Sequence, residues 1–138
     1  MADPFNRQRF VDAQAGAYPR ALAEIRAGAK RTHWMWFVFP QIAGLGFSPM
    51  AQAYAISGLD EARAYLAHPV LGPRLLECAA AALAVPGRSA REVFGTPDDL
   101  KFRSSMTLFA HASDAPVFRA ALDRYFDGAE DPLTVARL

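Results

Sequence analysis

The chain contains an uninterrupted stretch of 28 residues, 32–59, without a single Asp, Glu, Lys or Arg. A solvent-exposed loop of that length normally carries charge, because charged side chains are mostly exposed. The same stretch holds six of the sixteen aromatic residues, namely Trp34, Trp36, Phe37, Phe39, Phe47 and Tyr54. We therefore expect it to be mostly buried or to line a cleft. Its longest strongly apolar run, 34–40, is only seven residues, whereas a membrane-spanning helix needs about 20.

The rest of the composition is that of an ordinary globular protein. Hydrophobic residues make up 52% of the chain and charged residues 21%, which is typical of a chain with a packed core. The length of 138 residues indicates one domain over residues 1–138. Fifteen Lys and Arg residues against fourteen Asp and Glu residues leave a net charge of +1. We expect no nucleic-acid partner, because non-specific binding needs a large phosphate-neutralising surface.

The numbers and spacing of the cysteine and histidine residues indicate where the protein resides in the cell and whether it can bind a metal. The single cysteine, Cys78, excludes an internal disulfide framework and a zinc site built from cysteines. A lone thiol, and an N-terminus without a basic start and an apolar run, favour a cytoplasmic protein with no membrane association. His33, His68 and His111 lack metal-ligand spacing. We therefore expect no metal and no cofactor.

Helical periodicity recurs along the chain, whereas period-two alternation is confined to residues 34–39, which fit either a strand or a buried helical turn. Capping residues, prolines and glycines mark the boundaries of the other segments. They predict helices over 4–14 and 17–27, from Ser57 or Gly58, from Pro69 to Pro86, from Pro97 or Asp98 and from Pro116 to Gly128, with a turn at 89–93. We predict an all-α single-domain bundle of five to seven helices, with an irregular Gly- and Pro-containing loop around residues 40–57.

The first candidate for chemistry is the string KRTHWMWFVFPQ at residues 30–41. Trp34 and Trp36 can stack on a base or another flat ring. His33 titrates near neutrality and can act as a general acid or base. Lys30 can hold an anionic group, and Gln41 can read a polar edge with both a donor and an acceptor. The alternative interpretation is that the aromatic rings fill the core and that His33 is buried and hydrogen-bonded.

The second candidate is the loop GLGFSP at residues 44–49. Its two glycines allow the backbone to approach a ligand, and its N–H groups can form an anion-binding nest. Ser48 either contacts that ligand or caps a helix that has Pro49 at its first position. A P-loop is excluded because the trailing Lys-Ser/Thr is absent. Tyr54, further along, belongs either to the core or, through its hydroxyl, to the polar network.

The third candidate is the segment DDLKFRSSMT at residues 98–107. In a helix, Asp98, Lys101 and Ser105 share one face at spacings of three and four, and Ser104 and Thr107 lie on an adjacent face. Several hydroxyls within a helix require a reason, because they compete with the backbone hydrogen bonds. Such a face can bind a polar ligand or activate a hydroxyl. The alternative is a helix cap at Asp98 with an ordinary surface ion pair to Lys101.

Several strings together resemble the family catalogued as domain of unknown function 1810. They are KRTHWMWFVFPQ with the following GLG, YLAHPVLG at 65–72 with Arg74 and Leu75, and Phe94-Gly95 with Asp98, Lys101 and SSMTLF at 104–109. The resemblance covers residues 5–136. At position 32 the chain has Thr where the family leads us to expect Ser, and the hydroxyl group is retained. The resemblance implies a compact helical domain and no established reaction. A calpastatin label carried by some members conflicts with this composition, since calpastatins are disordered.

A weaker similarity is to helical N-glycosidase domains that act on ADP-ribose-type or riboflavin-precursor substrates, and it carries over no catalytic residue. We predict a small-molecule binding domain or hydrolase for a nucleotide-like or glycosidic ligand, with a polar cleft between 30–48 and 98–107. His33 or Asp98 would act as acid or base, and Lys101 and Lys30 would hold anionic groups. Whether the protein is an enzyme is left open. The alternative functions are a non-catalytic protein-interaction module and a structural homodimer, both using residues 32–59.

Overall fold

The computed structural model of the protein describes residues 3–138. Within that range the chain forms ten helices and no strand beyond one isolated parallel bridge between Ile42 and Ile56. In chain order the helices are α1 (Gln8–Gln14), α2 (Tyr18–Arg26), α3 (Met35–Val38), α4 (Pro49–Ala53), α5 (Leu59–Ala67), α6 (Leu71–Ala84), α7 (Ala90–Phe94), α8 (Asp98–Ala112), α9 (Pro116–Phe126) and α10 (Pro132–Val135).

The predicted all-α architecture is confirmed, and the helices are more numerous than the five to seven expected. Four of the ten, namely α3, α4, α7 and α10, contain only four or five residues. Segments that short carry too few residues to display a 3.6-residue apolar repeat, which is why periodicity alone undercounts them. Helix α3 also decides between the two alternatives for residues 34–39, which form a helical turn and not a strand.

Side-chain caps position the short helices. The Ser48 hydroxyl accepts a hydrogen bond from the backbone N–H of Ala51 at the start of α4. Ser89 and Glu92 form a reciprocal capping box at the start of α7. Because such caps satisfy backbone N–H groups that have no partner within the helix, they stabilise helical turns that would otherwise be marginal. Ser48 thus acts locally as the cap that the sequence predicts.

Helix α8 runs through the centre of the core and packs against α3, α5, α7, α9 and α10. Its Phe102 is fully buried and lies edge-on to Phe39, with ring centroids 5.0 Å apart, and stacks on Phe94 at 4.5 Å. Aromatic pairs in these geometries contribute beyond the area that they bury. They bring residues 34–39 against the first two turns of α8, which positions the two stretches that the sequence singles out.

Close approach of two helices requires a glycine at one position. Gly72 in α6 faces the backbone of Leu66 in α5, and a Cβ built on Gly72 would overlap the carbonyl oxygen of Leu66. Backbone atoms cannot rotate aside as a side chain can, so any larger residue would push α5 and α6 apart. Gly72 therefore sets the distance between these helices.

The uncharged stretch 32–59 divides into two parts. Its first part, from Trp34 to Ile42, is mostly core, whereas residues 47–50 are exposed. The backbone N–H of Ala43 donates to the carbonyl of Ile56, and the N–H of Ile56 donates to the carbonyl of Gln41, each at 2.8 Å. These bonds close the irregular loop at its base. Among the described helices, none combines the length and the apolar character needed to cross a membrane.

Candidate functional site

An open cleft with a volume of about 580 Å³ lies where the irregular loop meets the start of α8. We call it the α8 cleft. Three segments line it: the loop residues Gln41, Leu45, Gly46, Phe47, Ser48 and Ala51; Pro97 with the α8 residues Leu100, Lys101, Arg103 and Ser104; and Asp131, Pro132 and Leu133 near the C-terminus. Volumes of several hundred Å³ are typical of small-molecule sites.

Four of the predicted site residues line the α8 cleft. Gln41 and Ser48 come from the loop, and Lys101 and Ser104 come from the first two turns of α8. They supply an amide, two hydroxyls and an ammonium group, which can all hydrogen-bond to a polar ligand. Most of the other lining side chains are apolar. The cleft therefore combines an apolar surface with a few polar groups, as ligand pockets commonly do.

Asp98 pairs with two predicted residues, Lys30 and the cleft residue Lys101. Its Oδ2 lies 2.8 Å from Nζ of Lys30, and its Oδ1 lies 3.3 Å from Nζ of Lys101. One carboxylate thus balances two ammonium groups and leaves one positive charge. The Lys30 side chain is only 8% exposed, whereas that of Lys101 is 25% exposed. The surplus charge is therefore presented to solvent at Lys101, which lines the cleft.

The two tryptophans contact these lysines. The Lys30 ammonium lies 5.0 Å from the centre of the Trp34 ring, and the Lys101 ammonium lies 5.1 Å from that of Trp36. Both distances fit cation–π contacts. Trp34 is buried with 1% exposure and Trp36 is half-buried, and neither lines the α8 cleft. Trp34 therefore packs as a core residue, and Trp36 contacts Lys101 without lining the cleft.

The buried carboxylate of Glu24 binds residues 31–34, which precede α3. The sequence alone does not identify this residue. Glu24 in α2 accepts hydrogen bonds from the indole N–H of Trp34 at 2.9 Å, from the Thr32 hydroxyl at 2.6 Å, and from the backbone N–H groups of Thr32 and Arg31. Burial raises the pKa of this carboxyl group, but the hydrogen bonds from Thr32, Arg31 and Trp34 outweigh it and hold the pKa at about 2. Glu24 thus fixes residues 31–34, and Thr32 uses its hydroxyl here.

Two other predicted residues lie outside the cleft. His33 is exposed and is not among the cleft residues, so the alternative of a buried histidine does not describe it. Tyr54 is half-buried, and its ring lies 5.7 Å from that of Phe10 and 5.5 Å from that of Phe37. The structure therefore brings Lys30, Asp98 and Lys101 together, but it places His33 apart from the cleft.

The hydroxyls within α8 anchor the C-terminal segment. Oδ2 of Asp131 accepts hydrogen bonds from the Ser104 hydroxyl at 2.9 Å and from the Thr134 hydroxyl at 2.6 Å. The Thr107 hydroxyl accepts from the backbone N–H of Asp131 at 2.9 Å and donates to the carbonyl of Arg103 at 2.8 Å. This network is the physical reason for polar residues in the middle of α8. Thr107 is fully buried and serves this anchoring.

Ser105 differs from these hydroxyl residues. It is fully buried, and within residues 3–138 its hydroxyl has no hydrogen-bond partner. A buried hydroxyl without a partner costs free energy. It does not line the α8 cleft, so it contacts neither that space nor the Asp131 network.

The lining also includes side chains that the sequence analysis does not name as site residues, among them Arg103, Asp131 and three large apolar residues, Phe47, Leu100 and Leu133. Phe47, Leu100 and Arg103 fall within the predicted segments, whereas Asp131 and Leu133 fall outside them. An apolar residue on the polar face of a helix, as Leu100 is, gives a weak signal of a surface site. Asp131 carries a clearer one, because an Asp directly before a proline is typical of a helix N-cap. Nothing in the sequence places that cap beside Ser104.

A second cavity of about 420 Å³ lies elsewhere, among Phe5, residues 57–60, Arg63, Arg137 and Leu138. It contains none of the predicted site residues. The described residues also include no group of three or more His, Cys, Asp or Glu side chains placed to hold a metal ion. The α8 cleft is thus where the predicted residues and an open space coincide.

These features define a helical domain with an open cleft between its irregular loop and its central helix. The chain belongs to the family described as protein of unknown function DUF1810, whose pattern matches residues 4–138. Its structure is similar to the crystal structure of the conserved hypothetical protein Rv1873 from Mycobacterium tuberculosis. The two are 59% identical, with a TM-score of 0.97, over 99% of this chain and 98% of that one. No curated protein matches the chain significantly.

Proposed function

We propose that the protein binds a small molecule in the α8 cleft. The observation that carries this proposal is the coincidence of an open volume of about 580 Å³ with Gln41, Ser48, Lys101 and Ser104, whose chemistry in the sequence indicates ligand contacts. Apolar lining with a few converging polar groups is the usual character of a ligand pocket. A nucleotide-like or glycosidic ligand would place its ring against the apolar surface and its polar groups at these four side chains.

The remaining predicted residues act indirectly in this proposal. Lys30 and Asp98 hold the Lys101 ammonium in position through the two ion pairs, and Trp36 holds it through the cation–π contact. His33, Trp34, Tyr54, Ser105 and Thr107 are not required as ligand contacts. Binding is favoured over hydrolysis because Asp98 is already occupied by two lysines and His33 lies apart from the cleft. A hydrolase would use Asp98 and Lys101 as its catalytic pair.

A thermal-shift screen tests the proposal. The panel contains nucleotides, ADP-ribose and sugar phosphates, because a ligand that binds only the folded state raises the unfolding temperature. Each compound that raises the unfolding temperature is then titrated into two variants. Leu100→Ala removes apolar surface from the cleft, and Leu76→Ala replaces an exposed leucine of α6 that lies outside the cleft. We expect Leu100→Ala alone to weaken binding, by about fivefold for roughly 1 kcal/mol of lost contact.

The proposal fails if no compound raises the unfolding temperature, or if every compound that does binds both variants as tightly as the wild-type protein. Incubation of a bound compound followed by product analysis separates a binding domain from a hydrolase. Turnover that Asp98→Asn abolishes, in variant protein that circular dichroism shows to be folded, would indicate that the protein is an enzyme.

A second candidate function is a protein-interaction surface or a homodimer interface. The observation that favours it is the exposure of Phe47, at 82%, and of Met50 on the same irregular loop. The remaining aromatic side chains of residues 32–59 are buried or half-buried, so the exposed aromatic surface is small. Sedimentation over a concentration series tests the homodimer: a mass that stays at one chain, 15.1 kDa, argues against it.

A further inference from the structure

Three of the side chains that line the α8 cleft are large, apolar and exposed, and we call them the apolar mouth. Phe47 is 82% exposed, Leu100 is 55% exposed and Leu133 is 65% exposed. They come from the irregular loop, from α8 and from α10, which are far apart in sequence. Convergence of exposed apolar groups from three segments on one opening marks a surface that gains free energy when it is covered.

Unused hydrogen-bond donors lie among the polar groups of the same cleft. The Lys101 ammonium has three N–H donors, and the carboxylate that it pairs with is Asp98 at 3.3 Å. The Arg103 guanidinium donates through Nε and Nη2 to the carbonyls of Ala129 and Glu130. Its Nη1 has no hydrogen-bond partner in the part of the chain that the structure describes. The cleft therefore offers positively charged donors that the fold leaves free.

The acidic group of the cleft is largely occupied. Oδ2 of Asp131 accepts from the Ser104 hydroxyl, the Thr134 hydroxyl and the Thr134 backbone N–H. Lys101, Arg103 and Asp131 are the charged residues of the lining, which therefore carries a net charge of one positive unit. A ligand with one negative charge balances it, whereas a cation would meet a net repulsion.

We propose that the ligand of the α8 cleft is an amphipathic monoanion. Its apolar body packs against Phe47, Leu100 and Leu133, and its single carboxylate, sulfonate or phosphodiester group pairs with Lys101. This inference rests on the proposed function and narrows its ligand class. It also assigns a polarity to the bound molecule, whose anionic end lies at the lysine and whose apolar end lies at the mouth.

Two fluorescent probes test the inference because they share one aromatic body and differ in charge. Anilinonaphthalene sulfonate carries one negative charge, and phenylnaphthylamine is its neutral counterpart. Each is titrated into the folded protein while its fluorescence is measured. We expect the sulfonate to bind at one site about tenfold more tightly than the neutral probe, and to raise the unfolding temperature, since it binds the folded state.

Matched variants separate the two halves of the inference. Lys101→Met should weaken the sulfonate about tenfold and leave the neutral probe unchanged, whereas Lys101→Arg should keep the affinity because it keeps the charge. Leu133→Ser should weaken both probes severalfold, because it removes part of the apolar mouth. Arg63→Met, which removes a cation outside the α8 cleft, should change neither. Circular dichroism confirms that each variant is folded.

If the two probes bind with equal affinity and Lys101→Met has no effect, the inference that the ligand is anionic is overturned. Weaker binding of both probes to Leu133→Ser would still support a ligand in the cleft. Absence of binding by either probe, or binding that ignores both Leu133→Ser and Lys101→Met, would overturn the whole inference. The proposed function fails separately, through the thermal-shift screen and Leu100→Ala.

Discussion

Nζ of Lys30 lies 2.8 Å from Oδ2 of Asp98, so the first residue of α8 is tied to the segment that precedes α3. The lysine side chain is nearly buried, and the same carboxylate also pairs with Lys101 beside the α8 cleft. A buried charge is stable only while its partner remains. This ion pair therefore contributes to the fold and also places the cation that we assign to ligand binding.

Asp98→Asn should cost about 3 kcal/mol of the free energy of unfolding, because it leaves the Lys30 ammonium buried without a counter-charge. Urea denaturation followed by tryptophan fluorescence measures the loss. Asp60→Asn is the matched control, since the Asp60 side chain is 90% exposed and lies 3.7 Å from Arg63. Exposed pairs of that kind contribute roughly 0–1 kcal/mol. Equal losses in the two variants would contradict the structural role of Lys30–Asp98.

Glu24 should make the protein sensitive to acid. Its pKa in the folded protein is about 2, below the ordinary value of 4.5, so the folded state favours the ionised carboxylate. The resulting stabilisation is complete above about pH 4.5 and is lost as the pH falls towards about 2, and it amounts to roughly 3 kcal/mol. Stability measured by urea denaturation across this range should fall more steeply in the wild-type protein than in Glu24→Gln.

The difference in pH dependence between the wild-type protein and Glu24→Gln isolates the contribution of Glu24. Backbone N–H groups of Arg7 and Ser89 lower the pKa values of Asp3 and Glu92, and both carboxyl groups are present in wild type and variant alike. Glu24→Gln should also be destabilised at neutral pH, because an amide supplies one acceptor oxygen where the carboxylate supplies two. Parallel curves for the two proteins from neutral pH to pH 2 would show that Glu24 does not carry this dependence.

Ser104 and Ser105 are adjacent, but only the alanine variant of Ser104 should destabilise the protein. Ser104→Ala removes the hydrogen bond to Asp131 and should cost about 1 kcal/mol, with faster amide hydrogen exchange in residues 131–135. Ser105→Ala removes a buried hydroxyl that has no partner and places a better helix former in α8. We expect it to be neutral or to stabilise by up to about 1 kcal/mol. Destabilisation by both, or unchanged exchange in Ser104→Ala, would contradict the anchoring network.

Local signals in the sequence were sufficient for most of the fold. Ser48 with Pro49, and Pro116, each mark a helix start that the structure confirms, because caps and fixed proline geometry act within one turn. The turn predicted at 89–93 corresponds to the short helix α7. Helix α10 was missed since four residues carry no periodicity. The loop around 40–57 was recognised from its glycines and prolines, but the pairing of Ile42 with Ile56 that closes it joins residues distant in sequence.

The sequence predicted some of the residues that line the cleft, but it did not predict the role of each residue. Lys101 and Ser104 line the cleft from the first two turns of α8, and Gln41 and Ser48 line it from the loop, so local helix spacing and loop composition were sufficient to select these four residues. The burial of Trp34 and the exposure of His33, two neighbours with the same local signal, are decided by tertiary packing and by the bond from the Trp34 indole to Glu24. The contact between Ser104 and Asp131 likewise depends on the C-terminal segment folding back onto α8.

The most direct test of the central claim is a titration of the ¹⁵N-labelled protein with anilinonaphthalene sulfonate, followed by amide chemical shifts. A ligand in the α8 cleft should shift the amides of residues 45–48, of residues 100–104 and of Leu133, and leave those of residues 57–60 at the second cavity unchanged. Saturable shifts confined to residues 57–60 and their neighbours, or no saturable shift anywhere, would contradict a small-molecule site at this cleft.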